Sequence, residues 1–412
     1  MDATINSGDT AWVMISIALV TLMTPALGFF YGGMVRRKNI LSTLNLSFIT
    51  MGIIGLQWIL FGYTLAFGSS IGGLLGGFDY LGLRNVTGAP SDVYASNIPH
   101  LAFAGFQMTF AVITPALITG AFVERVRFKT FLIFALLWAT LVYDPVCHWV
   151  WGAGGIFGGL GALDFAGGTV VHITAGFSAL AFAMAIRPRS DYVNASIEPH
   201  HIPYTVLGAG LLWVGWFGFN GGSALAADGI AVTALVNTNT AAAAAAVTWM
   251  LISWRESKPS VLGIAIGAVV GLVAITPAAG FVTPLAAIVI GAVAAPISYY
   301  FIRLVHQRGL DESLDVWGCH GMAGAWGALA TGIFATTAVN SGGADGLLYG
   351  NVAQFGIQLL TVVVAALYAF GLTFVIAKVL DATLGLSVSE EEEQMGLDIS
   401  EHGERAYALE FD

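Results

Sequence analysis

The chain has 412 residues, of which 57% are hydrophobic and 10% charged, with 52 glycines, a mean hydropathy of +0.80 and a formal charge of -10. Soluble domains carry about 25% charged residues, so this chain cannot cover itself for water and reads as a polytopic membrane protein. The negative charge says little about partners, because much of it sits in the run Glu390 to Glu393 and in loops. Its two cysteines, Cys147 and Cys319, lie in apolar segments and exclude a disulfide framework or a paired-Cys zinc site.

In chain order, apolar spans are predicted at 10–35, 40–68, 100–123, 128–150, 167–187, 202–221, 230–254, 260–276, 281–305, 316–336 and 352–379. Each is near the ~20 residues that cross a bilayer, and the first two are long enough to tilt. The expected fold is therefore all-α, with eleven transmembrane helices. The start, Met1-Asp2-Ala3, carries an acid where a signal peptide would be basic, so no cleavable leader is expected. Of the 15 Lys and Arg, only Arg84 falls in one set of alternate loops. The others follow the odd-numbered spans, from Arg36, Arg37 and Lys38 to Lys378 and Arg405. The positive-inside rule then places the N-terminus outside and the C-terminus in the cytoplasm.

His172 and His320 lie early in the fifth and tenth spans, and each opens the pattern H-x-x-A-G. Offsets of 4, 7 and 11 give Gly176, Ala179 and Ala183 from His172, and Gly324, Gly327 and Thr331 from His320. A stripe of small side chains under each imidazole implies a narrow path or a tight helix contact. Ionisable groups inside a membrane are functional candidates by default. Five helices followed by five more would invert the second set, so the two histidines read as mates in an inverted repeat, a common transporter plan. Chance recurrence in a Gly/Ala-rich chain is the alternative.

Asp164 precedes the fifth span, where a carboxylate caps free N–H groups. A second reading has it easing the approach of a cation. Trp151 reads as a membrane-belt residue or as a ring that binds a cation, worth ~0.5–2 kcal/mol. Phe106 and Phe110 share a helix face, and Trp216, Phe219 and Ser223 fall within two turns; plain packing is the first reading of both groups. Asp144 is expected to tilt toward the surface, with attraction of cations as the second reading. His100 and His148 are expected to pack near the outer interface, and the adjacent pairs Cys147-His148 and Cys319-His320 point too far apart on a helix to share a metal.

Several stretches together resemble one family. GFFYGGMV followed by Arg36-Arg37-Lys38-Asn39, the external WGAGG, LDFAGGTVVHITAG, GWFGFNGGSA, DESLDVWGCHGMAG and the tail GLDISEHGERAY are similar to the ammonium transporter family (Amt/MEP, related to Rh proteins), over residues 10–409. The resemblance implies that His172 and His320 are twin histidines lining a pore, with Phe110 and Phe219 as a stacked gate above them. It implies ammonium recruitment by Trp151, Phe106 and Ser223, with Trp216 lining the upper pore and Asp164 supporting the outer site. It implies a homotrimer with one pore per subunit, no cofactor, no enzyme activity and no nucleic acid. Asp144 departs from the family pattern, which favours an apolar or small residue there.

The expected organisation is a transmembrane domain over 1–380, with repeats at 10–190 and 200–337 and a last helix at 352–379. Residues 381–412 form a cytoplasmic tail. Its acidic run Ser389 to Glu393 is expected to be solvated. Gly396, Asp398, His402, Gly403 and Tyr407 resemble a regulatory motif that docks on the cytoplasmic face and accompanies a PII-type signal protein; Ser400 stands where some relatives have a phosphorylatable Thr. The function expected is electrogenic ammonium uptake in the cell membrane, with ammonium deprotonated and ammonia passing the pore. The alternatives are an electroneutral ammonia channel, an Rh-like gas channel, an ammonium sensor, and a haem protein using both histidines as axial ligands.

Overall fold

The computed structural model describes residues 5–193 and 197–407; the first residues of the chain and the tail's 408–412 lie outside the described residues. Backbone groups in hydrocarbon have no water to bond, so a spanning chain satisfies them within helices. The helical segments are α1 (Ser7–Gly32), α2 (Arg37–Phe67), α3 (His100–Ala121), α4 (Phe128–Leu160, with a turn at 152–155), α5 (Gly168–Ala185), α6 (Ile202–Gly221), α7 (Gly229–Glu256), α8 (Val261–Ile275), α9 (Pro284–Gln307), α10 (Trp317–Met322 continued by Ala323–Phe334) and α11 (Val352–Leu384). Among the described residues, nine helices are long and apolar enough to cross a membrane; α8, with 15 residues, and α10 stand outside that set.

Local chemistry sets many of the starts. Asn6, Asp228, Ser260, Thr283 and Asn351 each turn a side-chain oxygen onto a free N–H in the first turn of α1, α7, α8, α9 and α11. Packing then joins α1 to α6, α2 and α3, α7 to α8 and α9, and α5 to α11. Large apolar side chains such as Leu56, Leu285 and Leu367 remain exposed on the outside, a surface suited to lipid or to a neighbouring subunit. The expected all-helical chain has one departure. Within 68–99, Ser70–Ile71 pairs with Leu75–Gly76 and Pro90–Ser91 with Ala95–Pro99, both antiparallel. Gly72 and Gly73, at φ 63° and 77°, make the first of these turns possible.

Among the described residues, five helices contain a widened π turn, at Trp58–Gly62, Ala139–Tyr143, Gly168–Ile173, Phe217–Gly221 and Trp317–Met322. Such turns break the regular i→i−4 ladder and are frequent at functional sites. His172, Phe219 and His320 each lie in one. Beside them α5 and α10 meet backbone to backbone: a Cβ on Gly176 would lie 2.1 Å from the Gly321 nitrogen. A Cβ on Gly324 would reach His172 Cβ at 3.0 Å, and one on Gly327 the Ala274 carbonyl oxygen at 2.1 Å. The glycines of the small-residue stripes thus make helix contacts.

Two sequence expectations are corrected. Asp144 does not tilt to the surface: it is fully buried, and its Oδ2 accepts the Gln57 amide at 2.7 Å. Gly62, at the end of the π turn that follows Gln57, makes room for this partner, because a side chain there would collide with Gln57. The acidic run is not solvated throughout, because Glu393 is buried. It accepts the Ser190 N–H at 2.9 Å and pairs with Arg187 at 2.8 Å.

Replacing Gly176 by Val should push α5 and α10 apart, at a cost of at least ~1–3 kcal/mol for overpacking. A Gly52→Ala control, whose Cβ meets nothing within 4 Å, should leave the thermal midpoint unchanged. Equal midpoints for both variants in detergent would count against the crossing.

Candidate functional site

At the end away from the basic loops, a cavity of about 460 Å³ is lined by Phe106, Gln107, Phe110, Trp151, Asp164 and Ser223 among others. The Trp151 indole N–H donates to the Asp164 carbonyl at 2.9 Å, which fixes the ring nearly perpendicular to Phe110, 5.9 Å away at 85°. Trp151 is therefore a cavity wall. Ser223 Oγ donates to the Phe219 carbonyl at 2.8 Å, so its own oxygen lone pairs remain available to a donor. Phe106 meets Phe110 edge-on at 4.9 Å.

Asp164 explains the start of α5. Its two carboxylate oxygens accept the N–H groups of Gly167, Gly168, Thr169 and Val170 at 2.6–3.1 Å. Gly167, at φ 112°, lets the chain turn under the carboxylate. The capping reading of Asp164 matches this geometry, and the same residue lines the cavity. The turn it caps is the one that carries His172.

Below the cavity, Phe110 and Phe219 stand 4.3 Å apart with their planes at 44°. Beneath them only about 10 Å³ remains, among Leu27, Ile113, Leu212, Trp216, Phe219 and the two histidines. That is about one water-sized probe. Trp216 donates to Thr276 Oγ1 at 2.9 Å and lies nearly parallel to the His172 ring at 5.4 Å. His172 and His320 are joined Nδ1 to Nδ1 at 3.3 Å. One Nδ1 must donate and the other accept, so the rings hold opposite tautomers when both are neutral. His172 Nε2 is buried without a partner, and is free for a guest that gives or takes a proton. His320 also lines a second cavity, of about 320 Å³, with Tyr31, Arg189, Tyr192, His306 and Asp315.

The sequence reading used the basic residues for orientation alone; several of them build a buried network. Arg189 bridges Glu124 at 2.7 Å and Asp311 at 2.6 Å, Arg36 holds Glu124 at 2.9 Å, and Arg125 reaches Asp311 at 3.4 Å. Burial alone would raise the Glu124 carboxyl, but Arg189 and Arg36 pull it down to about 2. Four loops meet here, and only the alternation of loop charge in the sequence hinted at it.

The tail lies against this network. Asn39 donates to Glu124 at 2.9 Å and accepts the Leu397 N–H at 2.8 Å. Asp398 accepts the Ser42 N–H at 2.8 Å, His402 meets Phe128 edge-on at 5.0 Å, and Tyr407 lies under Arg37 and bonds His200 at 3.0 Å. Gly396, at φ 99°, passes so close to Lys38 that a Cβ would lie 2.6 Å from it. Gly403 also has positive φ, 69°. Away from the His172–His320 pair, His100 bonds Tyr63, and His148 bonds the Ala66 carbonyl and Ser70.

Comparison with known proteins agrees over nearly the whole length. The sequence profile of the Ammonium Transporter Family matches residues 11–407. The chain is 52% identical to the ammonium transporter of Bacillus subtilis (strain 168), over 97% of this chain and 98% of that one. It is 50% identical to ammonium transporter Amt1 of Archaeoglobus fulgidus, covering 98% and 100%. The crystal structure of Candida albicans Mep2 superposes with a TM-score of 0.89 at 34% identity, over 98% of this chain and 94% of that one.

Two predictions follow from the capping and charge geometry. Asp164→Ala leaves four buried N–H groups without an acceptor, each costing ~1–3 kcal/mol. Thermal midpoints should therefore fall in the order wild type, Asp164→Asn, Asp164→Ala; an unchanged Ala variant would rule out the cap. For Glu124 the folded pKa is below the ordinary 4.5, so its stabilisation is present above that value and is lost as pH falls toward about 2. Glu124→Gln should therefore melt well below wild type at neutral pH, with the gap closing under acid; a pH-independent gap would disprove the ionic account.

Proposed function

The chain belongs to the ammonium transporter family, whose members move a solute and do not transform it, and from that premise we propose that it takes up ammonium by splitting it at the pore entrance. The observation that carries this reading is the line formed by the outer cavity, the Phe110–Phe219 pair, the 10 Å³ waist with both imidazoles, and the second cavity beyond His320. Ammonium is close to potassium in size, so a pore judging size alone would pass both. Ammonium also donates hydrogen bonds and can lose a proton. The Trp151 face and the Ser223 lone pairs replace part of its hydration, with Phe106 completing the wall.

The waist decides selectivity. A bare cation among leucine, isoleucine and aromatic side chains is heavily penalised, whereas neutral ammonia is not. The imidazoles supply the polar atoms of the passage. His172 Nε2 has no partner and the two Nδ1 atoms share one bond, so the pair guides ammonia and gives a released proton a route beside it. Net transport is then electrogenic.

The remaining organisation belongs to the same proposal. Eleven helices cross the cell membrane with the N-terminus outside, and residues 10–190 and 200–337 are inverted repeats whose mates α5 and α10 bring His172 and His320 together. Three subunits assemble, each with its own pore. Residues 381–412 form a cytoplasmic tail in which Gly396, Asp398, His402, Gly403 and Tyr407 hold the loops, on the face that a PII-type signal protein would meet.

The test is current from purified protein in sealed liposomes on a solid-supported membrane, pulsed with ammonium and then potassium. The expected result is a sustained current with ammonium alone, abolished in the His172→Leu/His320→Leu double variant. Alkalinisation of the lumen without current would replace this mechanism with a neutral-ammonia channel, and neither signal would favour sensing.

A further inference from the structure

The cavity beyond His320 has chemistry at its mouth that the pathway above does not use. His306, near the end of α9, reaches the loop before α10, where its Nε2 lies 2.7 Å from Asp315 Oδ1. Both residues line the 320 Å³ cavity that His320 also lines. The side chains are 45% and 25% exposed, so the pair faces both the cavity and the solvent. Because Nε2 is held by the carboxylate, Nδ1 is the ring edge left to meet a guest.

Asp315 is fixed in an unusual place. It has φ 59°, a left-handed conformation that few residues other than glycine adopt, and its carbonyl accepts the Cys319 N–H at 3.0 Å. It is therefore tied into the turn that carries His320. The titratable and charged groups facing His306 are Asp315, Glu312 and Arg189. Arg189 is already shared between Glu124 and Asp311. Glu312 is buried, accepts the Trp317 N–H at 2.6 Å, and is pushed up to about 8 by burial and then by the Asp315 charge. Arg303, on the same helix as His306, is held by Glu256. Asp315 is thus the anion in direct contact with the ring.

We infer that His306, oriented by Asp315, returns the proton to ammonia in the inner cavity. The inference rests on the reading above that ammonia and its proton cross the waist separately. In the step, the lone pair of ammonia forms a bond to the proton on His306 Nδ1 as that N–H bond breaks. Ammonium leaves, and the ring stays neutral with its Nε2–H on Asp315. Nδ1 then takes up the proton that has come past His172 and His320. One proton arrives and one departs per ammonium, with no other reactant consumed. A donor held in the cavity wall has an effective concentration far above that of free hydronium at neutral pH, and imidazole titrates in the range where this matters.

The test reads the ammonium-evoked current of right-side-out proteoliposomes while lumenal pH is stepped across the ordinary imidazole range, about one unit either side of about 6.5. Wild-type current should fall as the lumen is made alkaline. His306→Gln should give a current several-fold smaller and flat over the same range. Asp315→Asn should behave likewise; Asn also tolerates the left-handed backbone, so this variant removes the charge and keeps the turn. A His306→Gln profile that overlays wild type overturns the inference, as does an Asp315→Asn profile that does so. The His172→Leu/His320→Leu variant separates the two levels. If it still carries current, the conduction pathway itself is wrong. If it is silent while His306→Gln follows wild type, only the role of His306 falls.

Discussion

The contact between α5 and α10 at Gly176 and Gly321 sets the geometry of everything around it. With no side chain between the two backbones, imidazoles 148 residues apart come within 3.3 Å of one another. The widened turns that hold them aim both rings at a common axis. The aromatic residues of α6 and α3 then close over that axis, and about 10 Å³ is left. A larger residue at either glycine would push the two helices apart and widen that gap.

Each of the two turns is anchored by an acid just upstream. Asp164 takes four N–H groups at the start of α5, and Glu312 takes the Trp317 N–H at the start of α10. The two ends then diverge. The Asp164 end opens on a cavity lined by aromatic rings and the Ser223 hydroxyl. The Glu312 end is embedded in arginines and carboxylates from loops far apart in sequence. Burying those charges is costly unless each is paired and hydrogen-bonded, and here Arg189 satisfies two acids at once. Glu393 joins the same cluster through Arg187 and Ser190, so the tail completes a charge balance that the loops leave open.

Much of this is legible in the sequence. Helix spans follow from runs of apolar residues, which are local. The capping role of Asp164 was legible for the same reason, since its partners lie within six residues. The histidines stood out because ionisable groups in apolar helices are rare. Asp144 and Glu393 were misplaced because their partners, Gln57 and Arg187 with Ser190, are distant in the chain. Without a partner in view, a carboxylate is sensibly assigned to water. Trp151 and the phenylalanines read more naturally as belt and packing residues for the same reason: a ring's role depends on which face is left open.

The sequence by itself determined that the chain lives in a membrane, roughly where it turns, which loops carry the positive charge and which two histidines deserve the most attention. These depend on composition and short-range periodicity. Only the tertiary structure decided that the two imidazoles touch, that little space is left beside them, that Asp144 is buried on Gln57, and that basic loops form one ionic cluster with the tail. Those facts depend on distances between residues whose separation along the chain gives no clue to their separation in space. Close approach of backbones at glycine and pairing of charges in low dielectric are properties of the assembled fold.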